Sequence, residues 1–146
     1  MKEITLDAYG KLNLTLDILG RRPDGYHDLR MVMQSVSLCD RVTIRETENG
    51  QSALRTSASY LPCDRGNLAY RAAEAFFAAV DVANPGVALY VEKRIPVCAG
   101  MAGGSADAAG VLVGLNELYD ARLSMSELCA IGAGIGADVP FALLGG

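Results

Sequence analysis

An α+β domain, a mixed β-sheet with helices packed on one face, is the fold class this sequence predicts, and three observations predict it. Apolar and polar residues alternate through much of the first third of the chain, the period of strands with one buried face. From residue 67 the apolar spacing lengthens to that of helices with one apolar side. A short alternating stretch at 87–91 sits between two such helices, and stacking helices on a sheet buries both apolar faces at once. With 146 residues, 51% of them apolar, the chain is long enough for one ordinary core, and no repeat or linker divides it.

The elements follow in order. Within residues 4–19, Leu12, Leu14, Leu16 and Ile18 alternate with Asn13, Thr15 and Asp17, which predicts a half-buried strand. Residues 20–25, centred on Pro23-Asp24-Gly25, predict a turn. Two further strands are expected at 29–38 and 41–46, the second setting Val42 and Ile44 against Arg41, Thr43 and Arg45. The polar stretch 47–52 reads as a loop or hairpin tip. A helix over 67–80 places Leu68, Ala72, Ala75 and Phe76 on one side, with Asn67 as its N-cap and Asn84-Pro85-Gly86 as its stop. Val87, Leu89 and Val91 form a strand running into Lys93-Arg94-Ile95-Pro96. A second helix over 105–119 turns Ala108, Val111, Leu112, Leu115 and Leu118 inward, and Ser124, with Glu127 three residues on, starts a third. The apolar run 140–146 stops without the polar, frayed tail of most chain ends, so the chain is expected to be one half of a longer protein.

Composition excludes several classes. A net charge of −4 argues against a general nucleic-acid binder, so any anionic ligand must be held by local groups. Cys39, Cys63, Cys98 and Cys129 form no C-x-x-C pair and His27 is the single histidine, which makes zinc improbable. The cysteines are expected to be small buried thiols in a reducing compartment. No signal-peptide core opens the chain and no apolar run reaches membrane length, so a soluble, cytoplasmic protein without membrane contact is expected.

The strongest chemical signal is the stretch Pro96-Val97-Cys98-Ala99-Gly100-Met101-Ala102-Gly103-Gly104-Ser105-Ala106-Asp107, between a strand and a helix. Small residues let the backbone approach a ligand, and the free amides and dipole at a helix start favour phosphate. It lacks the Gly-Lys-Ser/Thr ending of a Walker A loop and the G-x-G-x-x-G spacing of the dinucleotide fingerprint. The plainer alternative is a glycine-rich turn in which Ser105 or Asp107 caps the helix.

Three segments, Ala8-Tyr9-Gly10-Lys11-Leu12-Asn13-Leu14, the glycine-rich loop and Gly136-Ala137-Asp138-Val139-Pro140-Phe141, resemble the three motifs of the GHMP kinases in order and approximate separation. The resemblance spans almost the whole chain. Gly20-Arg21-Arg22-Pro23-Asp24-Gly25-Tyr26-His27 looks like the signature of the diphosphocytidyl-methylerythritol kinases within that superfamily. The fold this implies is that of ribosomal protein S5 domain 2. The activity implied is transfer of the γ-phosphoryl of ATP, with Mg2+, to a hydroxyl of a substrate carrying a cytidine diphosphate group. Asp138 would be the base and Lys11 would keep it ionised while offsetting charge at the transferring group. Asn13 would share a strand face with Lys11 and contact the substrate polyol; Tyr26 and His27 would hold the cytosine. For ATP, Asn67 and Lys93 would lie near the adenine, and Pro96, Ala99, Gly100, Met101, Ala102, Gly103, Gly104 and Ser105 would surround the phosphates. From the residues alone, the plainer roles come first: Lys11 as a solvent-facing lysine, Asp138 as a turn cap and His27 as a surface residue, with Asn67 as a helix cap and Lys93 as a strand-end cation competing with their ligand roles.

The chain departs from the family pattern at Gly10, at Ala102 where glycine is usual, and at Ala106 where a second serine is usual. The family carries a second domain after the Leu-Leu-Gly-Gly segment. The 146 residues therefore read as the N-terminal domain alone, with the C-terminal domain absent, weak turnover and an apolar surface prone to self-association. Two other functions stay open: a GHMP kinase acting on a different alcohol, and a non-catalytic nucleotide-binding half-domain.

Overall fold

A computed structural model describes residues 2–48, 50–80 and 86–146. The early alternation builds one long hairpin: β1 (Glu3–Arg21) pairs antiparallel with β2 (His27–Glu46), from Glu3 opposite Arg45 to Arg21 opposite His27. Gly25, with φ of 88°, supplies the left-handed residue that the turn needs. β2 is one strand rather than the expected two. The register jumps from Tyr9 opposite Cys39 to Lys11 opposite Ser35, so the alternation breaks there while the ladder continues beyond the bulge.

β3 (Ala53–Thr56) and β4 (Val87–Glu92) complete a mixed sheet in the order β1-β2-β4-β3, with β4 antiparallel to β2 and parallel to β3. The polar stretch after β2 is thus a loop leading to β3 across β4, not a hairpin tip. Val42, Ile44, Leu54, Val87, Leu89 and Val91 are buried on one sheet face under α1 (Leu68–Ala79) and α2 (Gly103–Leu118). The opposite face carries the cross-strand pairs Arg41–Asp7 and Arg45–Glu3, both open to solvent. Helices on one face of a mixed sheet is the predicted class.

Asn67 caps α1, its side-chain oxygen accepting from the Ala69 amide at 3.0 Å. The helix buries Ala69, Ala72, Ala73 and Phe76, leaving Leu68 and Ala75 at the edge of the face, and Phe76 alone contributes about 1.5–3 kcal/mol of burial. Of its expected stop, Asn84 and Pro85 lie outside the described residues. Gly110 and Gly114 bring α2 close to the sheet: a Cβ at Gly114 would sit 2.5 Å from Ile44 Cδ1 and 2.7 Å from Leu6 Cδ1. α3 (Met125–Ala133) opens with a full capping box, Ser124 and Glu127 each accepting from the other's amide. The final apolar run forms α4 (Val139–Leu144), with Pro140 in its first turn, where the missing N–H costs nothing.

Beyond the bulge the hairpin leaves the helical layer. Leu12, Leu14, Leu16, Ile18, Leu29 and Val32 are exposed, not half-buried as the alternation suggested. All four cysteines are free, but none is buried: Cys39 and Cys129 are intermediate, Cys63 and Cys98 exposed. Among the described residues no helix is long and apolar enough to cross a membrane.

Candidate functional site

β4 ends at Glu92, and the chain then turns back over the end of the sheet to enter α2. Cys98, Gly100 and Ala102 in this loop all have positive φ, of 59°, 75° and 54°. Left-handed residues in a turn gather neighbouring N–H groups into a concavity suited to anions. Glycine takes that conformation freely, whereas a non-glycine residue costs about 1–2 kcal/mol, so Ala102 holds the loop under strain. At Gly103 a Cβ would press within 3.1 Å of Ile95 Cγ2 and 3.2 Å of Lys93 Nζ, which explains a glycine there. Ala102 is the N-cap of α2 and no side chain caps that end, so neither Ser105 nor Asp107 plays the capping role. The first amides of the helix remain open toward the loop.

Beneath the loop lies a buried charge cluster. Lys93 Nζ donates to Asp107 Oδ2 at 2.7 Å and to Asp40 Oδ2. Asp40, fully buried on β2, accepts through Oδ1 from the amides of Arg94 and, at 2.8 Å, Ile95. It thereby pins the turn between β4 and the loop. Burial works to lower the Lys93 pKa, but its ion pairs with Asp107 and Asp40 outweigh that and raise it. For Asp107, burial outweighs the pull of Lys93 and the carboxyl is pushed up to about 7, with Asp40 adding to the rise. Asp107 Oδ1 is buried without a hydrogen-bond partner.

On the other wall the structure brings together residues from the two ends of the chain. Lys11 Nζ lies 3.9 Å from Asp138 Oδ2 and donates to Asn13 Oδ1 at 3.0 Å. Lys11 is only 7% exposed, not the solvent-facing lysine that strand alternation allows. Its amide donates to the Met101 carbonyl at 3.0 Å, tying the strand to the glycine loop, and Gly10 fits against Ile95 and the carbonyls of Met101 and Leu38. Asp138 begins α4 without capping it by its side chain, so its carboxylate faces Lys11 instead.

The two walls enclose a cleft of about 500 Å³ lined by Lys11, Asn13, Asn67, Lys93, Pro96, Ala99, Gly100, Met101, Ala102, Gly103, Gly104, Ser105, Asp107 and Asp138, with Leu61, Pro62, Gly66, Leu68, Val97 and Cys98. Asn67 combines its cap with a place on this wall. Tyr26 and His27 do not line it: they sit exposed at the hairpin tip, ten residues along β1 from Lys11, a run of about 33 Å for an extended strand. Asp40 and Asp107 are the charged residues of the site that sequence reading did not assign. The one available signal, an aspartate near the start of a largely apolar helix, suggested only a cap. Among the described residues no group of three or more His, Cys, Asp and Glu could hold a metal by itself.

Residues 67–146 match the family described as GHMP kinases N terminal domain. Over 146 residues the chain is 47% identical to the 4-diphosphocytidyl-2-C-methyl-D-erythritol kinase of Lachnoclostridium phytofermentans, covering all of this chain and 50% of that protein. The enzyme of the same name from Brevibacillus brevis is 52% identical over 143 residues, 98% of this chain and 49% of its own. The chain thus spans about half the length of the curated relatives it matches. Among solved structures, a crystal structure of 4-(cytidine 5'-diphospho)-2C-methyl-D-erythritol kinase superposes with a TM-score of 0.79 at 42% identity, over 97% of this chain and 49% of the other. The mevalonate kinase of Methanococcus jannaschii gives 0.78 at 14% identity, over 99% of this chain and 52% of the other, a likeness of fold alone.

Proposed function

Because the chain belongs to the GHMP kinases, we propose that it forms the ATP-cradling half of a kinase that phosphorylates the methylerythritol hydroxyl of 4-diphosphocytidyl-2-C-methyl-D-erythritol, in the non-mevalonate route to isoprenoids. The observation that carries the reading is the approach of Lys11 to Asp138, 3.9 Å apart beside a loop with open amides. The names of the relatives and of the similar crystal structure support the substrate. A cytoplasmic location belongs to the reading, since the reaction draws on cellular ATP.

Phosphoryl transfer asks the protein chiefly for positioning and charge stabilisation. The loop amides and the start of α2 hold the phosphates, with Lys93 beneath the loop and Asn67 toward the nucleoside side of the cleft. As the substrate oxygen bonds to the γ-phosphorus and the bond to ADP breaks, Asp138 accepts the hydroxyl proton. Lys11, beside that carboxylate, offsets charge on the transferring group, and Asn13 orients the polyol. Mg2+ bound with the phosphates would supply further charge neutralisation there. Each cleft carboxylate faces an ammonium, Asp107 that of Lys93 and Asp138 that of Lys11, so the phosphate oxygens would be the main ligands of the ion. Tyr26 and His27 are assigned to the cytosine, with the hairpin as the arm that carries them. The relatives extend for about as much chain again, and the complete reaction is proposed for this half together with one of that kind. Alone, the exposed aliphatic flank of the hairpin favours self-association.

The test joins the chain to the second half of the Brevibacillus brevis relative and follows ATP consumption with the cytidyl substrate and with other alcohols. Turnover that prefers the cytidyl substrate and drops at least about a hundredfold in Asp138→Asn is expected. Full activity in that variant removes Asp138 as the base, and absence of any preference removes the substrate.

A further inference from the structure

Resting on the nucleotide reading above, we propose that Asp107 is a positioning residue for Lys93 and takes up a proton when a polyphosphate settles on the glycine loop, releasing the ammonium of Lys93 toward the phosphate. The cluster under the loop holds two carboxylates and one ammonium, an excess of negative charge where the loop is shaped for an anion. An arriving polyphosphate adds more, and the cheapest relief is to neutralise whichever carboxylate is held least firmly.

Asp40 is held on both oxygens, Oδ1 by the Arg94 and Ile95 amides and Oδ2 by Lys93. Asp107 is held on one: Oδ2 accepts from Lys93, while Oδ1 is buried and bare. A proton on Oδ1 sits on an acceptor that has no hydrogen bond to lose, in a residue that lines the cleft. It also weakens the hold on Lys93, whose Nζ already borders Gly103. The groups facing Asp107 are two carboxylates and two ammoniums, and of those in direct reach Lys93 opposes its protonation while Asp40 favours it. β2 presents Asp40, the turn after β4 presents Lys93, and across the cleft stand Lys11 of β1 and Asp138 before α4. α1 contributes Asn67 and Leu68, neither of which titrates. Burial already places the Asp107 carboxyl at about 7, so a modest added negative charge moves it across neutral pH.

The proton balance is simple: one proton leaves the buffer and joins Oδ1, and no bond is made or broken in the ligand. The chain is titrated calorimetrically with ADP, and separately with pyrophosphate, in buffers of different ionisation enthalpy from about pH 6 to about pH 9. Net proton uptake is expected, with affinity falling as pH rises through 7 by up to about tenfold per unit where coupling is complete. ADP also titrates, equally for both proteins, so the difference from Asp107→Asn, which should lose the Asp107 share of the uptake, isolates this carboxyl. If that variant does not fold, 13C-carboxyl NMR of the wild type reads the same proton, with the Asp107 resonance expected to titrate at higher pH in the presence of pyrophosphate. Binding without proton exchange, proton release, or a pH slope unchanged in the variant overturns the proposal and leaves the nucleotide reading standing. Failure of both ADP and pyrophosphate to bind at any pH overturns both.

Discussion

A carboxyl group buried beside an ammonium is caught between desolvation and attraction, and at Asp107 desolvation wins. The folded chain therefore holds that proton up to about 7, whereas the unfolded chain releases it near 3.8. Below the lower value both states are protonated and folding carries no penalty. As pH climbs between the two, the unfolded state sheds its proton first, so the native state loses stability across that window. Thermal melts of wild type and Asp107→Asn over this range should show Tm shifting progressively in favour of the variant; a constant difference would contradict the assignment. Lys93, with its pKa raised, contributes stability that persists below 10.5 and fades only at higher pH, so it adds nothing to this window. Lys11, Asn13 and Asp138 were legible because each sits in a short motif of distinctive neighbours. Asp40 was not, because its partner Lys93 lies 53 residues away and the alternation around it signals only a strand.

Among the elements, α2 does two jobs, opening its N-terminus to the loop and lying flat on β1 and β2 through Gly110 and Gly114. Gly114→Ala adds one methyl group where Ile44 and Leu6 already stand 2.5 and 2.7 Å from its Cβ position. The gain in helix propensity, about 1 kcal/mol, opposes an overpacking cost of about 1–3 kcal/mol. Net destabilisation is expected in chemical denaturation, and a stabilised variant would mean the helix can lift from the sheet at little cost. The periodic helices α1 and α2 were readable, and so was the start of α3 from Ser124 and Glu127, since caps and apolar spacing are local signals. β3 went unread because four residues hold too few repeats to reveal a period, and its partner β4 lies beyond a whole helix. β2 read as two strands because a bulge interrupts alternation without ending the ladder. α4 hid behind Pro140 and a uniformly apolar run.

At the scale of the molecule, the inner hairpin is part of a covered sheet and the outer hairpin is a two-stranded ribbon with exposed aliphatic side chains. Isolated ribbons are marginal in water. Amides of residues 12–33 should therefore exchange with solvent through local opening orders of magnitude faster than those of 41–46 and 87–92, as hydrogen exchange by mass spectrometry will read. Equal protection would mean that another surface covers the arm. The cleft itself opens to solvent, and one of its lining residues is Cys98, exposed and fixed in a left-handed turn. That thiol is a ready attachment point for a fluorescent or spin label: once Cys63, the other exposed cysteine, is replaced by serine, a probe on Cys98 would gauge occupancy of the loop in real time, without any turnover.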